Sequence, residues 1–173
     1  MFSVVMVAWN AEQYIRASIE SVLTQTFRAF ELIIVENGSS DNTCAIAREY
    51  AAKDARVRLI PMSENTKIAG GRNIGLEAAQ FEWIAIHDAD DIMLPHRLEI
   101  QARAIRENPD VIGWGAWAQI MGAEGQLYHR LEMGPTTREN FATLRAKSQL
   151  VTFKDPTFVY RRDLALSVGG YND

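Results

Sequence analysis

Asp88, Asp90 and Asp91 place three carboxylates within four residues, directly after the apolar run Trp83-Ile84-Ala85-Ile86. Carboxylates this close disfavour one another's ionised forms, and a hard divalent cation with oxygen ligands relieves that repulsion. In extended chain, residues two apart point the same way, so Asp88 and Asp90 converge on one ion while Asp91 turns elsewhere or caps the helix that follows. A solvated acidic turn is the plainer alternative. His87 and His96 lie nearby, but a lone His beside carboxylates is more often a hydrogen-bonded structural residue, and neither is assigned to the metal.

Two other polar clusters also follow apolar runs: Trp9-Asn10-Ala11 after Phe2 to Ala8, and Glu36-Asn37-Gly38-Ser39-Ser40-Asp41 after Phe30 to Val35. The second equally suits a Gly turn with a helix cap. Gly70-Gly71-Arg72-Asn73-Ile74-Gly75 has the glycine density of a phosphate loop, but such a loop continues into Lys-Ser/Thr, and here Leu76 follows Gly75. That match is rejected.

Positioning these clusters together takes a scaffold that brings several strand ends to one edge. The patterning predicts strands over Phe2 to Ala8, Phe30 to Val35, Val57 to Ile60 and Glu82 to His87, alternating with helices over Glu12 to Thr26, Asp41 to Lys53 and Gly70 to Gln80. This β-α-β-α-β-α-β order predicts an α/β fold, a mostly parallel sheet flanked by helices. Ligand sites in open α/β sheets form outside the carboxyl ends of the strands, where all three clusters fall. Beyond Asp91 the pattern predicts a helix from Pro95 to about Glu107 and an apolar run over Val111 to Met121. Gly125 and a strand through Leu131 would complete an added hairpin. A helix over Thr136 to Lys147, a strand over Phe153 to Tyr160 and a short helix over Arg161 to Val168, ended by Gly169 and Gly170, complete the chain.

Composition bounds the function. At about one domain per 150 residues, 173 residues make a single domain, and 47% hydrophobic with 23% charged residues is the make-up of an ordinary globular chain. The net charge of −4 supplies no basic field for nucleic acid. The single Cys44 excludes an internal disulfide and the usual zinc spacings, pointing to a reducing compartment. No apolar run reaches the roughly 18 to 20 residues of a transmembrane segment, and the opening strand lacks a basic leader and cleavage site. The expected location is the cytoplasm, with any membrane contact peripheral.

Taken together the motifs resemble the inverting, family 2 glycosyltransferases of the GT-A fold, from Val4 to the last residue. Val4-Val5-Met6-Val7-Ala8-Trp9-Asn10-Ala11-Glu12-Gln13-Tyr14 is similar to the family's opening strand and turn, and Ser21-Val22-Leu23-Thr24-Gln25-Thr26-Phe27 to its first helix end. Glu36-Asn37-Gly38-Ser39-Ser40-Asp41-Asn42-Thr43 is similar to its Asp-Asp-Gly-Ser-x-Asp-x-Thr segment, and Gly71-Arg72-Asn73-Ile74-Gly75 to its Ala-Arg-Asn-x-Gly helix start. Asp88-Ala89-Asp90-Asp91 is its Asp-x-Asp-Asp motif unaltered, and Pro156 to Arg162 with Gly169-Gly170-Tyr171 resembles its acceptor-side segment. The resemblance implies a nucleotide-sugar-binding half over 1–91 and a partial acceptor-side half over 92–173. It implies a nucleoside-diphosphate sugar donor, a UDP-sugar first, held by Ala8, Trp9, Asn10, Asn37, Arg72, Asp88 and Ala89. Asp88 and Asp90 would hold Mn²⁺ or Mg²⁺, and the acceptor would be a carbohydrate or lipid-linked hydroxyl.

Two departures stand out against that family. Asn37 stands where an Asp often accepts from uracil N3–H, and an amide accepts or donates, so the base is less tightly specified. The family's usual catalytic base is an Asp about ten residues beyond Gly-Gly-Tyr, past Asp173; Asp155 is the fallback acid or base, and Asp163 caps or decorates a helix. The expectation is therefore binding without efficient turnover. Competing readings are a nucleotide-sugar-binding module, a nucleotidyltransferase, for which Trp9-Asn10-Ala11-Glu12 offers no Gly-rich, Arg-containing loop, or a phosphoryl-transfer enzyme, whose nucleophilic Asp-x-Asp would end the first strand rather than the fourth.

Overall fold

β1 (Phe2–Ala8) and β2 (Phe30–Glu36) are buried along almost their whole length, because helices cover both faces of the sheet they form and every side chain must therefore be apolar or paired. The computed structural model describes residues 1–122, 124–149 and 154–172. After β1 come α1 (Ile15–Leu23), β2, α2 (Thr43–Lys53), β3 (Val57–Pro61), α3 (Lys67–Ala78), β4 (Trp83–Ile86) and α4 (Arg97–Glu107). There follow β5 (Gly113–Trp114), β6 (Ala118–Met121), β7 (Leu127–Leu131), α5 (Arg138–Ala146), a 3₁₀ turn (Asp155–Thr157), β8 (Val159–Arg161) and α6 (Arg162–Ser167).

The six-stranded sheet has the order β3-β2-β1-β4-β8-β5. Its first four strands run parallel, with Ala8 beside Glu36 and Val5 beside Ile86, and β8 joins β4 and β5 antiparallel. One face packs Val4, Met6, Leu32 and Ile34 against Ile15, Ile19 and Val22 of α1, Ala47 of α2 and Leu98 of α4. The other packs Val5, Ile33, Val35, Ile84 and Ile86 against Leu76 and Ala79. The alternation of these two sets along each strand is the period-2 rule for side chains on a pleated backbone.

Gly71 and Gly75 explain how close α3 lies to the sheet. A methyl group at Gly75 would meet Val5 Cγ1 at 2.3 Å, and one at Gly71 would meet Val7 Cγ1 at 2.7 Å. The helix thus rests directly on β1, and the glycines of the sequence motif are packing residues rather than a phosphate cradle.

The fold is the α/β architecture that the alternation predicts, with local differences. Glu12 to Tyr14 form a turn, so α1 opens at Ile15, while α3 starts three residues earlier than expected, at Lys67. α4 opens two residues after Pro95. Of the strand expected over Phe153 to Tyr160, Phe153 lies outside the described residues, and Asp155–Thr157 is a 3₁₀ turn. Pro156 has no N–H to give to a ladder, and Thr157 turns its hydroxyl to the Ala116 main chain instead. β6 and β7 pair as a separate antiparallel ribbon, the added hairpin. Among the described residues no helix is long and apolar enough to cross a membrane.

Candidate functional site

The carboxyl ends of β1, β2 and β4 open on a cavity of about 530 Å³. Trp9, Asn10, Asn37, Arg72, Asp88, Ala89 and Asp90 line it, joined by Val7, Ala11, Tyr14, Asn65, Lys67 and Ile68. Ala8 lies behind this wall, fully buried, its carbonyl accepting from the Asn37 N–H at 2.8 Å. Asn65, Lys67 and Ile68 carry no signal of their own in the sequence, because they precede Gly70, where the helical spacing begins to be visible.

Short polar side chains fix the loops. The Asn10 carboxamide oxygen accepts from Ser40 N–H at 2.9 Å, and the Ala11 N–H donates to Thr43 Oγ1 at 2.8 Å. Glu12 N–H donates to Asp41, while the Glu12 carboxylate accepts from Asn42 N–H. The loops after β1 and β2 are therefore tied reciprocally, which satisfies main-chain donors that a surface loop would leave to water.

The acidic segment is held from behind by one stripe of α1. Ser18, Ser21 and the following Gln25 stand at i, i+3 and i+7, the spacing of one helical face. Ser18 Oγ donates to the Asp88 carbonyl at 3.0 Å, Ser21 Oγ accepts from Met93 N–H at 2.9 Å, and Gln25 Nε2 donates to the Leu94 carbonyl at 2.8 Å. Gln25 Oε1 accepts from Leu98 N–H at 3.1 Å, capping the first turn of α4 from another element. Asp88 to Asp91 make a turn closed by Asp91 N–H to the Asp88 carbonyl at 3.2 Å. Asp88 and Asp90 share the cavity wall, but through this turn rather than through extended-chain alternation; Asp91 is not in the lining.

Burial pushes the Asp88 carboxyl above its ordinary pKa; Arg72 opposes the rise, and Asp155 and Asp90 add to it. Burial likewise raises Asp91, with Asp88 and Asp90 contributing. This crowding of oxygen ligands fits a hard divalent cation. Among the described residues no three His, Cys, Asp or Glu side chains gather as a ready-made cage, so the protein would supply two carboxylates, the pattern of a cation shared with substrate phosphates and water.

Arg72 stands beside the acidic turn in the same lining and is only 8% exposed. Its guanidinium reaches Asp88 Oδ1 at 3.4 Å, pairs with Asp155, and lies 5.4 Å from the centroid of the Tyr171 ring. Asn73 places that ring: its amide donates to the Tyr171 carbonyl at 2.9 Å and accepts from the Tyr171 N–H at 2.8 Å. The Tyr171 hydroxyl bonds to that of Tyr160 at 2.9 Å. The structure thus brings Asp155 to Arg72 as its ion-pair partner, outside the cavity lining. Asp163 sits at the start of α6, paired with Arg161.

His87 is fully enclosed and hydrogen-bonded to Ser18 Oγ at 3.1 Å. Because that hydroxyl gives its hydrogen to the Asp88 carbonyl, His87 donates from Nε2. Burial lowers its pKa to about 3, with Arg97 adding to the effect. A histidine kept neutral when folded, but protonated near 6.5 when unfolded, contributes stability that is full above pH 6.5 and falls away as the pH drops toward 3. His87→Gln keeps the donor and removes the titration. Between pH 7.5 and pH 5, wild type should lose about 2 kcal/mol more unfolding free energy than the variant. Urea denaturation at both pH values checks this, and parallel losses would refute it.

Comparison with known proteins adds the following. The sequence model of Glycosyl transferase family 2 matches residues 3–168. An Escherichia coli protein, UDP-Glc:alpha-D-GlcNAc-diphosphoundecaprenol beta-1,3-glucosyltransferase WfgD, is 38% identical over 108 residues, 62% of this chain and 42% of that protein. S. aureus TarS in complex with UDP-GlcNAc superposes with a TM-score of 0.74 at 25% identity, covering 96% of this chain and 47% of that one. The mannosyltransferase PcManGT from Pyrobaculum calidifontis, in complex with GDP-Man and Mn²⁺, superposes with a TM-score of 0.72 at 20% identity, covering 99% and 47%. The chain spans less than half the length of each of these proteins.

Proposed function

Since the chain belongs to glycosyl transferase family 2 and has its GT-A fold, we propose that the cavity holds a nucleoside-diphosphate sugar, a UDP-sugar first, for inverting transfer to an acceptor hydroxyl. The observation that carries this reading is the convergence of Trp9, Tyr14, Arg72, Asp88 and Asp90 on one cavity at three strand ends. Trp9 and Tyr14 are exposed aromatics at its mouth, suited to lie against a flat base, and the acid pair suits the diphosphate end. The complexes of S. aureus TarS with UDP-GlcNAc and of PcManGT with GDP-Man and Mn²⁺ support the same assignment.

Asp88 and Asp90 would hold Mn²⁺ or Mg²⁺, which when bound stabilises the charge growing on the departing diphosphate without a protonated acid. Arg72, kept cationic by its two carboxylate partners, would meet a carbonyl or phosphate oxygen with its planar fork. The main chain at Trp9, Asn10 and Ala89 would meet the donor, with Ala8 supporting it from behind. In the transfer, the acceptor oxygen bonds to the anomeric carbon from the face opposite the phosphate, the carbon–oxygen bond to phosphate breaks, and the acceptor proton passes to a base. We assign Asp155 to holding Arg72 through the ion pair it makes. The acceptor class, carbohydrate or lipid-linked, belongs to the same proposal.

The test is a calorimetric titration of UDP, CDP and GDP into the chain with and without Mn²⁺. UDP should bind, and more tightly with the cation. Failure of every nucleotide to bind, with the fold intact by circular dichroism, would overturn the reading.

A further inference from the structure

Asn37 is 2% exposed at the end of β2, and every hydrogen-bonding group on its side chain is engaged. Its Nδ2 donates to Asn65 Oδ1 and to the Lys67 carbonyl, both at 3.1 Å. Its Oδ1 accepts from the Thr66 N–H at 3.0 Å and from the Thr66 hydroxyl at 2.9 Å. An amide has two donor hydrogens and two lone pairs on oxygen, so these four bonds exhaust it. The partners also fix which atom is which, because only oxygen accepts from a main-chain N–H and only nitrogen donates to a carbonyl.

All four bonds go to three consecutive residues, and two of these, Asn65 and Lys67, line the cavity. Lys67 has φ 60, a left-handed conformation uncommon outside glycine and Asn or Asp. A bond to its own carbonyl is a direct means of holding it there. The neighbouring Gly38 shows how tightly the two segments meet: at φ +73, any Cβ would lie 2.7 Å from the Glu64 carbonyl carbon.

We propose that Asn37 is a positioning residue, which sets the Asn65–Lys67 turn and leaves recognition of the base edge to Asn65. The proposal rests on the reading of the cavity as a nucleotide site. Asn65 Oδ1 is itself engaged twice, by Asn37 Nδ2 and by the Lys67 N–H at 2.7 Å. The group it has left for a ligand is its Nδ2, a donor. A donor matches a carbonyl such as uracil O4 and opposes the amino group that cytosine carries at the same place. An aspartate at position 37 could keep the two accepted bonds but not the two donated ones, and would set a carboxylate against Asn65 Oδ1 and the Lys67 carbonyl.

The experiment compares UDP and CDP affinities, with Mn²⁺ present, for wild type, Asn37→Asp, Thr66→Val and Asn65→Asp. Thermal melting of each variant reports folding. Asn37→Asp should weaken both ligands by about tenfold or more, the expected cost of two lost bonds and an unmatched carboxylate, with little change in their ratio. Thr66→Val removes one of the four bonds, alters neither Asn37 nor a residue in the cavity lining, and should weaken both about threefold. Asn65→Asp replaces the donor by an acceptor and should shift the ratio toward CDP by about tenfold. Tighter UDP binding by Asn37→Asp with a raised UDP-to-CDP ratio would show that position 37 reads the base, and overturns the proposal. So would Thr66→Val binding both ligands as wild type does, or Asn65→Asp leaving the ratio unchanged. If wild type binds neither ligand, the underlying nucleotide reading falls first, a result distinct from all of these.

Discussion

Asp90→Asn is expected to remove most of the Mn²⁺-dependent gain in UDP affinity, a loss on the order of 100-fold, whereas Asp91→Asn should cost less than about threefold. Asp88 and Asp90 face the cavity and Asp91 does not. Burial and the two neighbouring aspartates raise Asp91, only partly opposed by Lys154 and Arg97, so losing its charge removes a repulsion rather than a contact to the cation. An amide at position 90 keeps the shape and one weak oxygen donor, but gives up the anionic charge that holds a hard cation. Titrating Mn²⁺ in the presence of UDP, and UDP in its absence, separates the cation-linked affinity from the rest. Equal Mn²⁺-linked affinity in wild type and Asp90→Asn would remove Asp90 from the metal site.

Arg72 carries the second large effect. Its guanidinium serves two carboxylates and one ring together: Asp88, Asp155 and Tyr171. Lysine keeps the charge but offers a point donor in place of a planar fork, so it reaches one carboxylate and loses the stacking geometry. Arg72→Lys is expected to weaken UDP about tenfold. Arg72→Met, which leaves Asp88 and Asp155 facing each other without the cation, should weaken it about 100-fold and lower stability by about 2 kcal/mol. That figure is below the cost of breaking a fully buried pair because Asp155 is half-exposed. Calorimetry and urea denaturation measure the two losses. A lysine variant that binds UDP as wild type does would show that the fork plays no part.

The parts of this site that were legible in sequence are those dictated by local chemistry. Continuous apolar runs such as Phe30 to Val35 mark strands buried on both faces, and the polar residues that interrupt them mark strand ends. The pairing of Asp88 with Asp90 was legible too, although the reason differs, since a closed turn and not an extended strand aims them. What was not legible depends on partners far away in the chain. The early start of α3 at Lys67 depends on capture of that turn by Asn37, 30 residues distant. The Tyr171 ring reaches Arg72 only because Asn73 grips a main chain 98 residues later. Ser18 and Ser21 sit among the buried apolar residues of α1, with Gln25 just beyond its end, and their purpose shows only when the loop they serve is in view.

The direct seating of α3 on β1 ties the position of Arg72 to the core beneath it. No compressible side chain of α3 lies between Gly71 or Gly75 and the valines beneath them, so the height of the helix above the sheet is set by Val5 and Val7 themselves. Arg72 stands between the two glycines and moves with that height. A methylene added or removed at Val5 or Val7 therefore resets the reach of the guanidinium, while a change on the other face, at Val4, Met6, Leu32 or Ile34, is felt by α1 and, through Ser18 and Ser21, by the acidic loop. Each face of the sheet thus carries one sign of the site's charge: the helix on one side sets the height of a cation, and the helix on the other anchors the carboxylates.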